Sequence, residues 1–138
     1  MTMTMATPSS SEMALASEHD IVLSRQAVRG LTRELGFSLV DQTKMVTAAS
    51  ELARNTLVHG GGGTLSWEIV REGARQGLRL CFEDHGPGIP DLALALTDGW
   101  SSGKGLGLGL SGARRLVNQF ELRSTVDEGT RVTITRWK

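Results

Sequence analysis

The stretch Phe82-Glu-Asp84-His-Gly86-Pro-Gly88-Ile-Pro90, followed by Ser101-Ser-Gly103-Lys-Gly105-Leu-Gly107-Leu-Gly109-Leu110, constrains this chain more than any other. It begins at the end of an apolar run, Leu78 to Phe82, that reads as a buried strand. The strand delivers one carboxylate, Asp84, into a turn where Gly86 and Gly88 let the backbone approach a ligand closely. Further on, the alternating glycines lead directly into a helical segment starting near Leu110. A flexible glycine run ahead of a helix offers bare N–H groups and the positive end of a dipole to an anion. An acid for a base edge and a glycine cradle for phosphates together suggest a nucleotide. The plain alternative is that these glycines only make turns and a flexible loop.

Two familiar phosphate motifs are absent. A Walker A loop places glycine five residues before its Gly-Lys-Ser/Thr, whereas Asp98 precedes Gly103-Lys104 here and Gly105 follows. The dinucleotide fingerprint G-x-G-x-x-G fails twice, because Gly86-x-Gly88 leads to Asp91 and Gly105-x-Gly107 leads to Leu110.

The 138 residues suffice for one domain with a real core. Fifteen basic and fifteen acidic side chains cancel, which argues against a nucleic-acid partner. Cys81 is the only cysteine, so no intrachain disulfide or cysteine-based zinc site is possible, and its apolar strand predicts a small buried hydrophobe. No apolar run reaches the ~18 residues of a membrane span, and the first residues lack a basic-then-apolar signal pattern. A soluble cytoplasmic protein is expected.

Residues 1–18 show no periodic pattern and are expected to form a disordered leader, with one domain over 19–138. Ile21-Val-Leu23 reads as a short strand, and Ser24 as the N-cap of a helix through Leu35. A second helix starts near Ser38 or Asp41 and runs to Val58, with Met45, Val46, Ala49, Leu52, Ala53 and Leu57 on its core face. The alternation of Leu65, Trp67 and Ile69 predicts a half-buried strand, and a hairpin near Glu72 to Gly77 returns the chain to Leu78–Glu83. A helix over Leu110–Phe120 and two strands, Glu121–Val126 and Thr130–Trp137, complete the order. Tight hairpins imply antiparallel pairing, so the expected fold is an α/β (α+β) two-layer sandwich, its mixed, mostly antiparallel sheet carrying helices on one face.

Glu51 and Asn55 stand four apart on the long helix and share a face. A carboxylate beside an amide suits a general base and magnesium, since one Asn carbonyl plus phosphate oxygens can hold that ion. The bland alternative pairs Glu51 with Arg54 on a solvated face. Asp84 could accept from an adenine amino group or from backbone N–H groups of its own turn. Lys104 could neutralise a terminal phosphate or be an ordinary loop lysine. His59 and His85 read as structural or peripheral, and hairpin chemistry explains Thr130 adequately.

Taken in order, Glu51-x-x-x-Asn55, Asp84-x-Gly86-x-Gly88, Gly105-x-Gly107-x-Gly109 and Gly129-Thr130 resemble the N, G1, G2 and G3 boxes of the Bergerat-fold (GHKL) ATPases. Within that superfamily, Asp20-Ile-Val, Glu34-Leu-Gly-Phe, Val40-Asp-Gln, Glu51-Leu-Ala-Arg-Asn55 and the stretches Glu83–Asp91 and Asp98–Leu110 resemble the RsbT-type switch-protein serine/threonine kinases of the bacterial stressosome, relatives of anti-sigma factors. The resemblance implies a Bergerat ATP-binding fold, with ATP and Mg2+ as cofactors. It also implies STAS-domain scaffold or antagonist proteins as substrates, and in some systems a PP2C-type phosphatase as a further partner. By position, Glu51 would be the base for the substrate hydroxyl and Asn55 the magnesium ligand. Asp84 would read the adenine amino group in a pocket shaped by Gly86 and Gly88, and Thr130 would assist there. Gly105, Gly107 and Gly109 would wrap the phosphates, with Leu106 and Leu108 between them, while Lys104 just before the run has no assured counterpart in the family. The segment from about Asp91 to Lys104 would then be a lid that closes over the phosphates. An anti-sigma factor or phosphatase-activating module that acts by sequestration is the alternative function.

Overall fold

Leu78, Leu80 and Phe82 alternate along one strand, and all three are buried to 1% exposure or less. That alternation sets the layers. The computed structural model describes residues 10–96 and 109–138. They form β1 (Ser10–Leu15), α1 (Glu18–Glu34), α2 (Leu39–Val58), β2 (Gly63–Glu72), β3 (Arg75–Asp84), α3 (Leu92–Ala95), α4 (Gly109–Arg115), β4 (Gln119–Thr125) and β5 (Gly129–Trp137). The strands make one sheet in the order β1-β2-β3-β5-β4. Leu65 lies opposite Phe82 and Trp67 opposite Leu80, while Phe82 and Leu80 face Val132 and Ile134 on the other side. These residues form an apolar surface on which α2 lays Met45, Ala49, Leu52 and Ala53, with Ile21 and Val28 of α1 completing the core.

The two-layer α/β sandwich is as expected, but the described sheet is antiparallel throughout rather than mixed. The chain leaving β3 passes over one strand position before forming β4, and β5 folds back into the gap. No described helix is long and apolar enough to cross a membrane.

Four local expectations need correction. The last part of the expected leader joins the sheet: β1 pairs with β2, Met13 opposite Leu65, and Leu15 is fully buried. The short apolar run Ile21–Leu23 is helical, because α1 begins earlier, capped by Ser17, whose hydroxyl accepts from the Asp20 N–H at 3.3 Å. Asp20 in turn accepts from the Ala16 N–H at 2.8 Å, and Ser24 lies inside the helix, donating to the Ile21 carbonyl. The helix expected through Phe120 ends at Arg115, since Phe120 turns inward on β4 opposite Ile134. Cys81 is half-buried rather than buried. Its neighbours Leu80 and Phe82 take the inner face, so it shares the outer one with Glu68, Arg79, Glu83 and Arg131. There Arg79 pairs with Glu68 at 3.4 Å and Arg131 with Glu83 at 3.1 Å.

Arg136, at the inward end of β5, ties three elements together. Its Nη2 donates to Asp41 Oδ1 in the first turn of α2 at 2.6 Å, and its Nη1 to the Leu116 carbonyl just past α4 at 2.8 Å. The hydrogen bond from Arg136 holds the Asp41 carboxyl below its ordinary value. A depressed carboxyl contributes its stability above the ordinary aspartate range and gives it up as pH falls through its own titration. Arg136→Met is expected to cost about 1–2 kcal/mol at neutral pH, kept small by the water that reaches Asp41. In urea denaturation the gap between variant and wild type should narrow below about pH 4. A gap independent of pH would assign the contribution to the Leu116 contact alone.

Candidate nucleotide-binding site

The helix and sheet layers separate beside the end of β3, leaving a cavity of about 230 Å³. Leu52, Phe82, Ile89, Leu94, Leu110 and Val132 give it apolar walls, and Asn55, Thr56, His59, Asp84 and Thr130 bring polar groups to it. Gly88 and Gly109 line it as well. Such a space, mostly apolar with a few convergent polar groups, suits a flat aromatic ligand with one polar edge.

Asp84 is the only charged residue among the buried ones described, at 8% exposure. Its Oδ1 accepts from the Gly86 N–H at 2.9 Å, so the turn itself supplies one of the donors that a buried carboxylate needs. The other wall of its niche is backbone. A Cβ on Gly60 would fall 2.3 Å from Asp84 Cγ, and one on Gly86 would fall 2.8 Å from the Gly60 Cα. Gly60 therefore belongs to the site, although its sequence position marks it only as a helix end.

Across the sheet, Asp84 pairs in register with Thr130, and Thr130 with Ser124 of β4. The three residues form a polar row at the cavity end of three strands. Ser124 Oγ accepts from the Ile89 N–H at 2.7 Å and lies 2.8 Å from Thr130 Oγ1. The same hairpin holds the loop after β3 a second time, through the Asp127 N–H to the Pro87 carbonyl at 2.8 Å. Between these ties Gly88 adopts φ +77, and a Cβ there would meet the Thr125 carbonyl oxygen at 2.4 Å.

From α2, Leu52, Asn55, Thr56 and His59 reach the cavity at helical spacing. Thr56 spends its proton on the Leu52 carbonyl at 2.8 Å. His59, expected to be structural or peripheral, caps α2 on the cavity wall. Glu51 stands one turn before Asn55, half-buried and outside the cavity lining, with Oε2 shielded from solvent. Arg54, its alternative ion-pair partner, places its guanidinium 3.4 Å from Glu18 Oε1 on α1. Of the sequence-predicted residues, Asn55, Asp84, Gly88, Gly109 and Thr130 thus line one cavity, and Gly86 stands behind Asp84 as a donor. Lys104, Gly105, Leu106, Gly107 and Leu108 lie outside the described residues. So does most of the expected lid, of which Asp91–Leu96 are described, with Asp91 Oδ1 accepting from the Leu94 N–H at 2.9 Å. The apolar wall residues and Ser124 carry no signal in the sequence beyond their strand and helix periodicity.

A helix-on-sheet domain whose buried strand-end carboxylate and helix amide line one cavity has the layout of a nucleotide-binding domain. The chain belongs to the histidine kinase-, DNA gyrase B- and HSP90-like ATPase family, whose model matches residues 40–138. Within it, the chain sits on the serine/threonine-kinase branch. It is 44% identical over 123 residues to the serine/threonine-protein kinase RsbT of Bacillus subtilis (strain 168), covering 89% of this chain and 92% of that protein. It is also 26% identical over 127 residues to the anti-sigma F factor of Clostridium novyi (strain NT), covering 88% and 89% respectively. Among solved structures, that of the RsbU and RsbW domains of Rv1364c from Mycobacterium tuberculosis contains the same fold over 33% of its chain, matching 93% of this one with a TM-score of 0.63 and 19% identity.

The packing of the loop after β3 leads to a direct test. Gly88→Ala adds a left-handed penalty and a clash with backbone that has nowhere to move, so a loss of roughly 2 kcal/mol or more is expected. Gly73→Ala in the β2–β3 turn, at φ +63 with nothing within 4 Å of its Cβ, is the control. It should lose only roughly 1 kcal/mol by urea denaturation. Equal losses would mean that the loop is free to leave the β4–β5 hairpin.

Proposed function

We propose that this chain transfers the terminal phosphoryl group of ATP to a serine or threonine hydroxyl on STAS-domain partner proteins, as the kinase of a bacterial partner switch. The observation that carries the reading is Asp84, buried at the strand end and hydrogen-bonded through one oxygen to Gly86 beside an apolar slot. A carboxylate there accepts from an exocyclic amino group, and the apolar walls take the faces of the ring. The 44% identity to a serine/threonine-protein kinase supports the reaction class.

The rest of the reading assigns roles along α2. Asn55 lines the cavity and presents a hard amide oxygen, which fits magnesium bound chiefly by phosphates and water. When bound, that ion neutralises phosphate charge. Glu51, one turn away, accepts the proton of the attacking hydroxyl, leaving an alkoxide-like oxygen to take the phosphoryl group while ADP departs. The run Gly105–Gly109 is assigned to the phosphates on its sequence resemblance, and Lys104 beside it on its charge alone. A second reading, an anti-sigma factor or phosphatase-activating module that works by sequestration, draws on the 26% identity to an anti-sigma F factor.

Two variants test these assignments. Asp84→Asn keeps an oxygen for the Gly86 N–H but turns the second acceptor into a donor, so ATP affinity measured by calorimetry should fall by ~1–3 kcal/mol. Unchanged affinity would remove Asp84 from the base site. Glu51→Ala should leave a folded, ATP-binding protein whose single-turnover transfer to a purified STAS-domain partner is slower by about 10²–10⁴-fold. Wild-type transfer rates in that variant would defeat the role of Glu51. A wild-type protein that forms a stable partner complex without any transfer would establish the sequestration reading instead.

A further inference from the structure

Arg136 stands on the wrong face of its strand for a charge. Alternation along β5 puts it in line with Val132 and Ile134, both buried in the core. Its side chain keeps 14% exposure, against 35% or more for the arginine of every other described ion pair. Its Nε is buried without an acceptor among the described residues. Burying a guanidinium is costly, and a well-packed apolar side chain of similar size often serves stability as well or better. The position therefore asks for something that an apolar residue does not provide. What Arg136 provides is a span. One Nη reaches the first turn of α2 and the other the carbonyl just past α4. Both helices wall the nucleotide cavity at their other ends, α2 with Asn55, Thr56 and His59 and α4 with Gly109 and Leu110. Asp41 stands fourteen residues before Asn55, roughly 21 Å along the helix axis. The exit of α4 is stitched to the same stretch of β5 twice more. The Asn118 N–H donates to the Thr135 carbonyl at 3.0 Å, and the Trp137 N–H donates to Asn118 Oδ1 at 2.7 Å.

We propose that Arg136 is a positioning residue for ATP: from outside the cavity it fixes the separation of α2, which brings Asn55, from α4, which follows the glycine run. The proposal rests on the assignment of ATP to this cavity. A phosphate chain held between an amide on one helix and the start of another is sensitive to the distance between them. A displacement of about 1 Å that begins far from a site can remove much of its effect. The same geometry accounts for the choice of arginine. Its planar fork presents fixed donors to two acceptors in set directions, which a single ammonium group does not.

The test sets affinity against stability. Dissociation constants for ATP with Mg2+ would be measured by calorimetry on the full chain, as wild type, Arg136→Met, Asp41→Asn, their double variant and Gly73→Ala, each alongside its urea midpoint. Folded Arg136→Met should bind ATP at least about fivefold more weakly than the wild type. Asp41→Asn, which leaves the Leu116 contact in place, should weaken binding less, and the double variant should match Arg136→Met alone. Gly73→Ala, comparably destabilised in the β2–β3 turn, should bind as the wild type does. Wild-type affinity in folded Arg136→Met would overturn the proposal and leave Arg136 a structural tie. Equal weakening in Gly73→Ala would overturn it too, since affinity would then follow stability. Fully additive losses in the double variant would do the same, because the two residues would then act apart. If Arg136→Met does not fold, Arg136→Lys takes its place, and wild-type affinity with that single ammonium would equally defeat the idea. A wild type that binds ATP with no change in the variants removes only the role of Arg136, whereas a wild type that does not bind ATP removes the site reading and this inference with it.

Discussion

Backbone crowding around one carboxylate governs this structure. Gly60, just past α2, and Gly86, just past β3, approach each other and Asp84 so closely that neither position has space for a single methyl group. Gly63 lies opposite Asp84 on β2, and Thr130 opposite it on β5. The approach fixes where the C-terminal end of α2 sits over the sheet. With it are fixed the directions of Asn55 and His59, which extend from that helix into the cavity.

The same helix serves two purposes with one periodicity. Met45, Ala49, Leu52 and Ala53 bury its sheet-facing stripe, and Asn55, Thr56 and His59 continue that stripe past the point where the layers part. On the far side of the cavity the support is cross-strand rather than helical. Ser124 and Asp127 hold the loop after β3 by its backbone, so the edge hairpin of the sheet acts as a buttress for Ile89 and Gly88. At the opposite end of the sheet, Arg136 links β5 to the start of α2 and to the end of α4.

Long periodic elements were legible in the sequence. α2 has a Ser38 cap and a clear apolar stripe, and the β2–β3 hairpin alternates without interruption. The misreadings have physical causes. Ile21–Leu23 is a short apolar run that fits either a strand or a helix, and the Ser17–Asp20 capping pair decides it. β1 has no β-branched residue; it is a strand because β2 offers it an edge and Leu15 a place in the core. Phe120 looks helical by spacing but is claimed by Ile134 across the sheet. At the cavity, Asn55 and Asp84 stood out in the sequence as polar groups beside glycine-rich turns, whereas Thr130 was singled out only by the ordered pattern of the family resemblance. Gly60 and Ser124 were not, because their parts depend on which backbones meet, and only cross-strand register and the close approach reveal that.

The bond from the Gly86 N–H to Asp84 has a thermodynamic consequence. A carboxylate free to rotate would have to be oriented by its ligand, at a cost in side-chain entropy set against affinity. Here the turn and the surrounding backbone hold it in place before any ligand arrives, and its burial has been compensated within the fold. The loss of freedom falls on the folding of the chain, and an amino group that reaches the cavity meets an acceptor already aimed.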